Sequence, residues 1–138
     1  MDKKIDIHKA GGILIKDRKF LVERSKNKTF LIAPGGSIEE GETSKQALVR
    51  ELKEEFQLTV QENDLQEFGT FYAQAAGQES KYLQMDVFIV KQWQGEIIPD
   101  NEVEEILWIN SRLPMDVQIG SIFEHEVLPR LKEQNLID

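Results

Sequence analysis

The sequence predicts one mixed α/β domain, a β-sheet structure carrying two main helices. Three observations carry that expectation. β-rich segments alternate with a Gly- and Pro-free helical stretch at Thr43 to Phe56, and a second amphipathic stretch lies near the C-terminus. The 138 residues are 40% hydrophobic and 30% charged, enough apolar material for one real core. No repeat, linker or low-complexity segment divides the chain, so residues 1–138 are read as a single domain.

Taken in order, Ile5 to Lys16 reads as a strand interrupted by Gly11 and Gly12. A turn at Asp17-Arg18 leads into Phe20 to Arg24 and suggests a hairpin. The basic loop Lys26 to Lys28 precedes a short apolar run, Phe30 to Ala33, which Pro34-Gly35-Gly36 breaks. Thr43 to Phe56 places Ala47, Leu48, Leu52 and Phe56 at helical spacing, and Thr43 or Ser44 can cap its start. Strands are expected around Phe68 to Ala75, Tyr82 to Trp93 and Ile106 to Asn110. From Ile119 to Gln134, Ile122, Phe123, Val127 and Leu131 share one side of a helix that Pro129 should kink or shorten.

Composition excludes several kinds of chemistry. With no cysteine there is no disulfide, thiolate metal site or Cys nucleophile. No apolar run approaches the ~20 residues of a membrane span, and MDKKIDIHKAGG lacks a signal-peptide core, so a cytoplasmic location without membrane attachment is expected. A net charge of −8 repels polyanions and disfavours long nucleic acid. A small phosphorylated ligand remains compatible if cations mask the local carboxylates. His8 and His125 have no partner pattern for nucleophilic catalysis, and neither a Ser-centred elbow nor a Walker-type loop is present.

The chemistry concentrates in GGSIEEGETSKQALVRELKEEFQL, Gly35 to Leu58. Residues three and four apart meet on one helix face, so Glu51, Glu54 and Glu55 form a carboxylate cluster. Mg²⁺ and Mn²⁺ favour oxygen ligands of this kind. Gly35 and Gly36 let the backbone approach a ligand closely and offer a carbonyl oxygen. Glutamates on a helix face are, taken alone, ordinary solvated decoration; the rest of the string changes that reading.

The string resembles the box of the Nudix hydrolases, G-x5-E-x7-R-E-U-x-E-E-x-G-U with U a bulky aliphatic. Gly36 supplies the first Gly, Glu42 the next Glu, Arg50-Glu51-Leu52 the R-E-U, Glu54-Glu55 the paired acids and Leu58 the last aliphatic. Gly36 and Arg50 are not explained by acid-rich composition, and Pro34-Gly35 and Gly41 resemble the usual surroundings of the box. Gln57 stands where the family has a Gly that ends the helix in a left-handed conformation, a departure costing roughly 1 kcal/mol but no ligand.

The resemblance implies a Nudix-type α/β/α sandwich and metal-dependent hydrolysis of a diphosphate linkage in a nucleoside diphosphate derivative. Glu51, Glu54 and Glu55 with the Gly35 carbonyl would bind Mg²⁺ or Mn²⁺, Arg50 would orient a neighbouring carboxylate, and Glu42 would be an outer acid. A further Glu is expected just before a Trp, and here Glu102, Glu104 and Glu105 precede Trp108, with Glu105 favoured and Glu102 next. The proton acceptor is left open between Glu51 and the Glu102/Glu105 pair. Arg24, Lys26 and Lys28 could meet phosphates and Gly36 the substrate, while Phe30, Phe71, Tyr72 and Trp93 could stack a base, Tyr72 being the chosen candidate. The leading substrate is a nucleoside triphosphate, oxidised or not, cut to the monophosphate and pyrophosphate by a monomer or homodimer. The alternatives are ADP-ribose, a dinucleoside polyphosphate, or a non-catalytic nucleotide sensor of the same fold.

Overall fold

The computed structural model describes residues 4–75, 78–100 and 102–138. Its strands are β1 (Ile7–Ile13), β2 (Ile15–Lys16), β3 (Lys19–Ser25), β4 (Gly35–Ser37), β5 (Leu65–Ala75), β6 (Gln78–Val90) and β7 (Val103–Ile109). Helix α1 spans Ser44–Phe56, and the C-terminal helix passes through a π-helical segment, Phe123–Val127, into α2 (Leu128–Glu133). A mixed sheet has the order β4-β1-β6-β5, with β1 and β6 parallel. A second, antiparallel sheet has the order β2-β3-β7.

The two helices cover opposite faces. Ala47, Leu48, Leu52 and Phe56 of α1 pack on Ala10, Leu14, Leu21, Phe88 and Val90. Ile122, Phe123, Val127 and Leu131 of the C-terminal helix pack on Ile13, Phe20, Val22, Met85 and Ile109. This is the α/β/α arrangement that the sequence predicts. Asp86 of β6 ties the start of α1 to the sheet, accepting from Ser44 Oγ at 2.9 Å while lying 2.7 Å from His8 Nε2.

Three local expectations meet the structure differently. Gly11 and Gly12 do not interrupt β1, which stays in register with β6 from Ile7↔Leu83 to Ile13↔Ile89; the change of sheet comes at Leu14. Pro34 does break the run after the Leu31 and Ile32 bridges, but Gly35 and Gly36 are extended again, because Gly35–Ser37 pairs antiparallel with Lys9, Ala10 and Gly11. Pro129 stands where the C-terminal helix is irregular, as expected of it. Lacking an N–H for the carbonyl four residues back, it sits in the first turn of α2, directly after the π turn in which the Leu128 N–H reaches back to the Phe123 carbonyl.

The ends of α1 carry out what their residues specify. Thr43 and Gln46 form a reciprocal capping box, Gln46 N–H to Thr43 Oγ1 at 3.1 Å and Thr43 N–H to Gln46 Oε1 at 3.0 Å. Gln57 closes the helix at φ 58°, ψ 30°, the left-handed conformation, and the Leu58 N–H bonds the Leu52 carbonyl at 3.2 Å. Replacing Gln57 by Gly relieves the Cβ cost there. Thermal melts of Gln57→Gly should therefore show a gain of up to ~1 kcal/mol. A loss of stability would contradict the left-handed cap.

Candidate active site

The second half of α1 carries its acids over the Gly35-Gly36 segment of β4. Arg50 is the hub. Its Nε and Nη2 grip both Glu42 oxygens at 2.8 and 3.0 Å, and Nη1 donates to Glu51 Oε1 at 2.9 Å and Glu54 Oε2 at 3.4 Å. Nη2 also reaches the Ser37 carbonyl at 3.1 Å, fixing β4 to the helix. This forked, charge-assisted geometry raises the Arg50 pKa still further, the Glu42 hydrogen bond contributing most.

Gly36 has a steric reason to be glycine: a side-chain carbon there would lie 2.5 Å from the Glu51 carboxyl carbon. One at Gly35 would overlap the Ala10 carbonyl oxygen. The Gly35 N–H donates to Glu55 Oε1 at 3.0 Å, so the loop and the helix carboxylates form one assembly. Burial raises the Glu51 carboxyl pKa against the lowering influence of Arg50.

A residue that the motif does not include completes the cluster. Glu23 of β3 is 1% exposed, and its carboxyl is hydrogen-bonded to that of Glu55. Burial raises both pKa values, and in Glu55 the bond to Glu23 adds to the shift. A signal was available in FLVER. Phe20, Leu21 and Val22 are apolar in succession, which marks a strand buried on both faces, and Glu23 shares the face of Leu21.

The other expected residues fall into two groups. Arg24 is the cross-strand neighbour of Glu105, its Nε donating to Glu105 Oε2 at 3.0 Å and Nη1 to Glu104 Oε2 and the Lys28 carbonyl, each at 3.3 Å. On β7, Ile106 and Trp108 pack toward α1, whereas Leu107 and Ile109 pack toward the C-terminal helix. Strand alternation therefore turns Glu105 away from α1, and the register shift after Arg24 leaves Glu104 beside it on the same guanidinium. Glu102 offers its backbone carbonyl to the Lys26 N–H at 2.9 Å. Tyr72 is exposed and stacks on Tyr82 with centroids 6.1 Å apart. Its neighbours Phe71 and Ala73 face the C-terminal helix, so Tyr72 lies on the other side of the sheet.

On the C-terminal-helix side opens a cleft whose lining includes Phe30, Leu83, Phe123 and Ser121, with Lys9 and Lys28 as its cations. Phe30 is the one member of the expected aromatic set in that lining; Phe71 is in the core, and Trp93 packs against the α1-side cluster. Lys9 links the cleft to the box through the backbone, being the cross-strand neighbour of Ser37, whose carbonyl Arg50 holds.

A NUDIX domain model matches residues 7–124. The chain belongs to the Nudix family. An 8-oxo-dGTP diphosphatase of Haemophilus influenzae is 33% identical over 114 residues, 79% of each chain. An ADP-ribose pyrophosphatase of Methanocaldococcus jannaschii is 49% identical over 47 residues, 32% of this chain and 28% of that protein. The MutT NUDIX hydrolase of Burkholderia pseudomallei superposes with a TM-score of 0.72 over 93% of this chain and 96% of that one, at 17% identity, and shows the shared fold. This Nudix chain is thus a pyrophosphohydrolase, and the box Gly36 to Leu58 is the segment that gathers its carboxylates.

The Arg50–Glu42 fork gives a pH signature. Arg50 first, then the Glu39 N–H, hold the Glu42 carboxyl at about 2, below its usual 4.5. A depressed folded pKa adds stability above the unfolded pKa, and that stability is lost as pH falls through the folded one. The melting difference between wild type and Glu42→Gln should be constant above 4.5 and shrink as pH falls toward 2. A difference independent of pH would show that the pair contributes no linkage.

Proposed function

We propose that this Nudix enzyme hydrolyses a nucleoside triphosphate, oxidised purine nucleotides included, to the monophosphate and pyrophosphate with Mg²⁺ or Mn²⁺. One observation carries the reading: β4, which meets the α1 carboxylates, pairs with the β1 strand whose Lys9 lines a cleft with apolar walls and cationic side chains. The apolar lining suits a nucleoside, and Lys9 and Lys28 suit its phosphates. The names of the Haemophilus influenzae relative and of a Proteus vulgaris 8-oxo-dGTP diphosphatase, 31% identical over 102 residues, favour the triphosphate over ADP-ribose.

The residues fit a hard divalent ion. Every candidate donor is oxygen, and the Glu23 Oε2 atom is buried with no hydrogen-bond partner among the described residues. Among those residues no three acidic or histidine side chains are yet gathered about one point, because Arg50 and the Glu23–Glu55 contact hold the carboxylates. Glu51, Glu54, Glu55 and the Gly35 carbonyl would hold the ion. Bound there, it would set positive charge against the phosphates and acidify water.

The chain's own groups do the remaining work. Arg50 holds Glu51 and Glu54 over the loop, and Gly36 leaves room for the Glu51 carboxylate to face substrate. Glu51 is the proposed proton acceptor, because it lies within the assembly against Gly36, with Arg50 on its Oε1. Glu105 has a different part, holding Arg24 and through it the Lys28 segment at the cleft. Arg24 is accordingly proposed to position the lysine loop rather than to touch phosphate itself.

Pyrophosphate release from dGTP, 8-oxo-dGTP and ATP, beside AMP release from ADP-ribose, tests this directly. Turnover should require Mg²⁺ or Mn²⁺ and stop in excess EDTA. Glu51→Gln and Glu54→Gln should lower kcat by orders of magnitude, while Glu105→Gln should act mainly on KM. Full turnover in EDTA, or near wild-type rates in both helix variants, would contradict the proposal.

A further inference from the structure

Glu23 lies outside the Nudix box, yet it is the most enclosed acid of the site. Its backbone is fixed on both sides of β3: the N–H and carbonyl exchange bonds with Ile32 at 2.7 and 2.8 Å, and Ile106 is its partner across to β7. Rotating the strand to release the side chain would drive Val22 and Arg24 onto the wrong faces. The carboxyl is therefore committed to the α1 side, where it meets Glu55.

Burying a carboxylate is costly unless hydrogen bonds or a cation compensate it. Here compensation from the protein is sparse. The Glu55 carboxyl receives the Gly35 N–H, and Glu23 Oε2 has no hydrogen-bond partner among the described residues. Leu21, the preceding residue on that face, is an ordinary core side chain, so the layer accommodates an aliphatic group. The Glu23 carboxyl thus lies against that of Glu55 while its other oxygen has no donor among the described residues, an arrangement that a cation would compensate.

We propose that Glu23 is a further acidic residue of the metal centre, binding the divalent ion together with Glu55 from the opposite element. This rests on the metal-dependent reading of the site and adds to it a ligand contributed by β3. The sheet, and not α1 alone, then sets the position of the ion.

Mn²⁺ alone, titrated into the full chain and followed by the EPR signal of the free ion, tests the assignment without reference to turnover. Glu23→Gln is nearly isosteric and neutral, and should weaken Mn²⁺ binding by ~10–100-fold, the usual effect of losing a group that supports a metal site. Without metal it should melt at or above wild type, because the buried carboxylate contact is gone. Glu23→Asp keeps the charge but withdraws it by one methylene, and should also bind more weakly; it carries the comparison if the Gln variant does not fold. Wild-type affinity in either folded variant would overturn the role of Glu23, leaving it a partner that merely shares a proton with Glu55. A wild-type protein that binds no Mn²⁺ would instead overturn the metal reading of the whole site.

Discussion

Arg50 faces more negative charge than one guanidinium can neutralise. It grips Glu42 by both oxygens and spends its remaining donors on Glu51, Glu54 and the Ser37 carbonyl, with the Glu39 carboxylate 3.8 Å away. Behind it Glu23 and Glu55 press together out of water. Such crowding survives because the opposite side of α1 holds the helix down. Leu48, Leu52 and Phe56 are fully buried, each contributing ~1.5–3 kcal/mol, whereas like charges along a helix face cost ~0.2–0.5 kcal/mol per pair. Burial outweighs repulsion, and the helix keeps its acids together.

The same balance decides how an acidic protein accepts an anionic substrate. A net charge of −8 opposes phosphates at a distance, but physiological salt screens exposed charges beyond ~8 Å. Within the site the local cations govern. Lys9 and Lys28 line the cleft, and Arg24, tied to Glu104 and Glu105, holds the carbonyl of the Lys28 segment. Lys9 of β1 and Lys28 of the loop after β3 therefore supply the positive charge of the cleft.

Much of this was legible in the residues. Thr43 with Gln46 announces the start of α1, the apolar spacing gives its buried face, and Asp17-Arg18 forms the hairpin turn at φ 52° and 61°. Features set by tertiary register were not. Glu105 reads as a site acid from its distance to Trp108, but which face it takes depends on the pairing of β7 with β3. Gly11-Gly12 reads as a break because the text does not reveal a parallel neighbour on β6. Tyr72 reads as a stacking residue, yet its side of the sheet follows from the burial of Phe71. Glu23 was missed because a Glu before an Arg at a strand's end looks solvated until both faces of β3 are known to be covered.

The claim on which the account turns is that the α1 acids and the Gly35 loop jointly hold a divalent ion. Crystals grown with Mn²⁺, measured at a wavelength where manganese scatters anomalously, address it most directly. The account predicts an anomalous peak within coordination reach of Glu54, Glu55 and the Gly35 carbonyl, with the Glu54 carboxylate drawn off Arg50. A peak elsewhere on the chain, or none in crystals whose Arg50–Glu54 contact is intact, would contradict it.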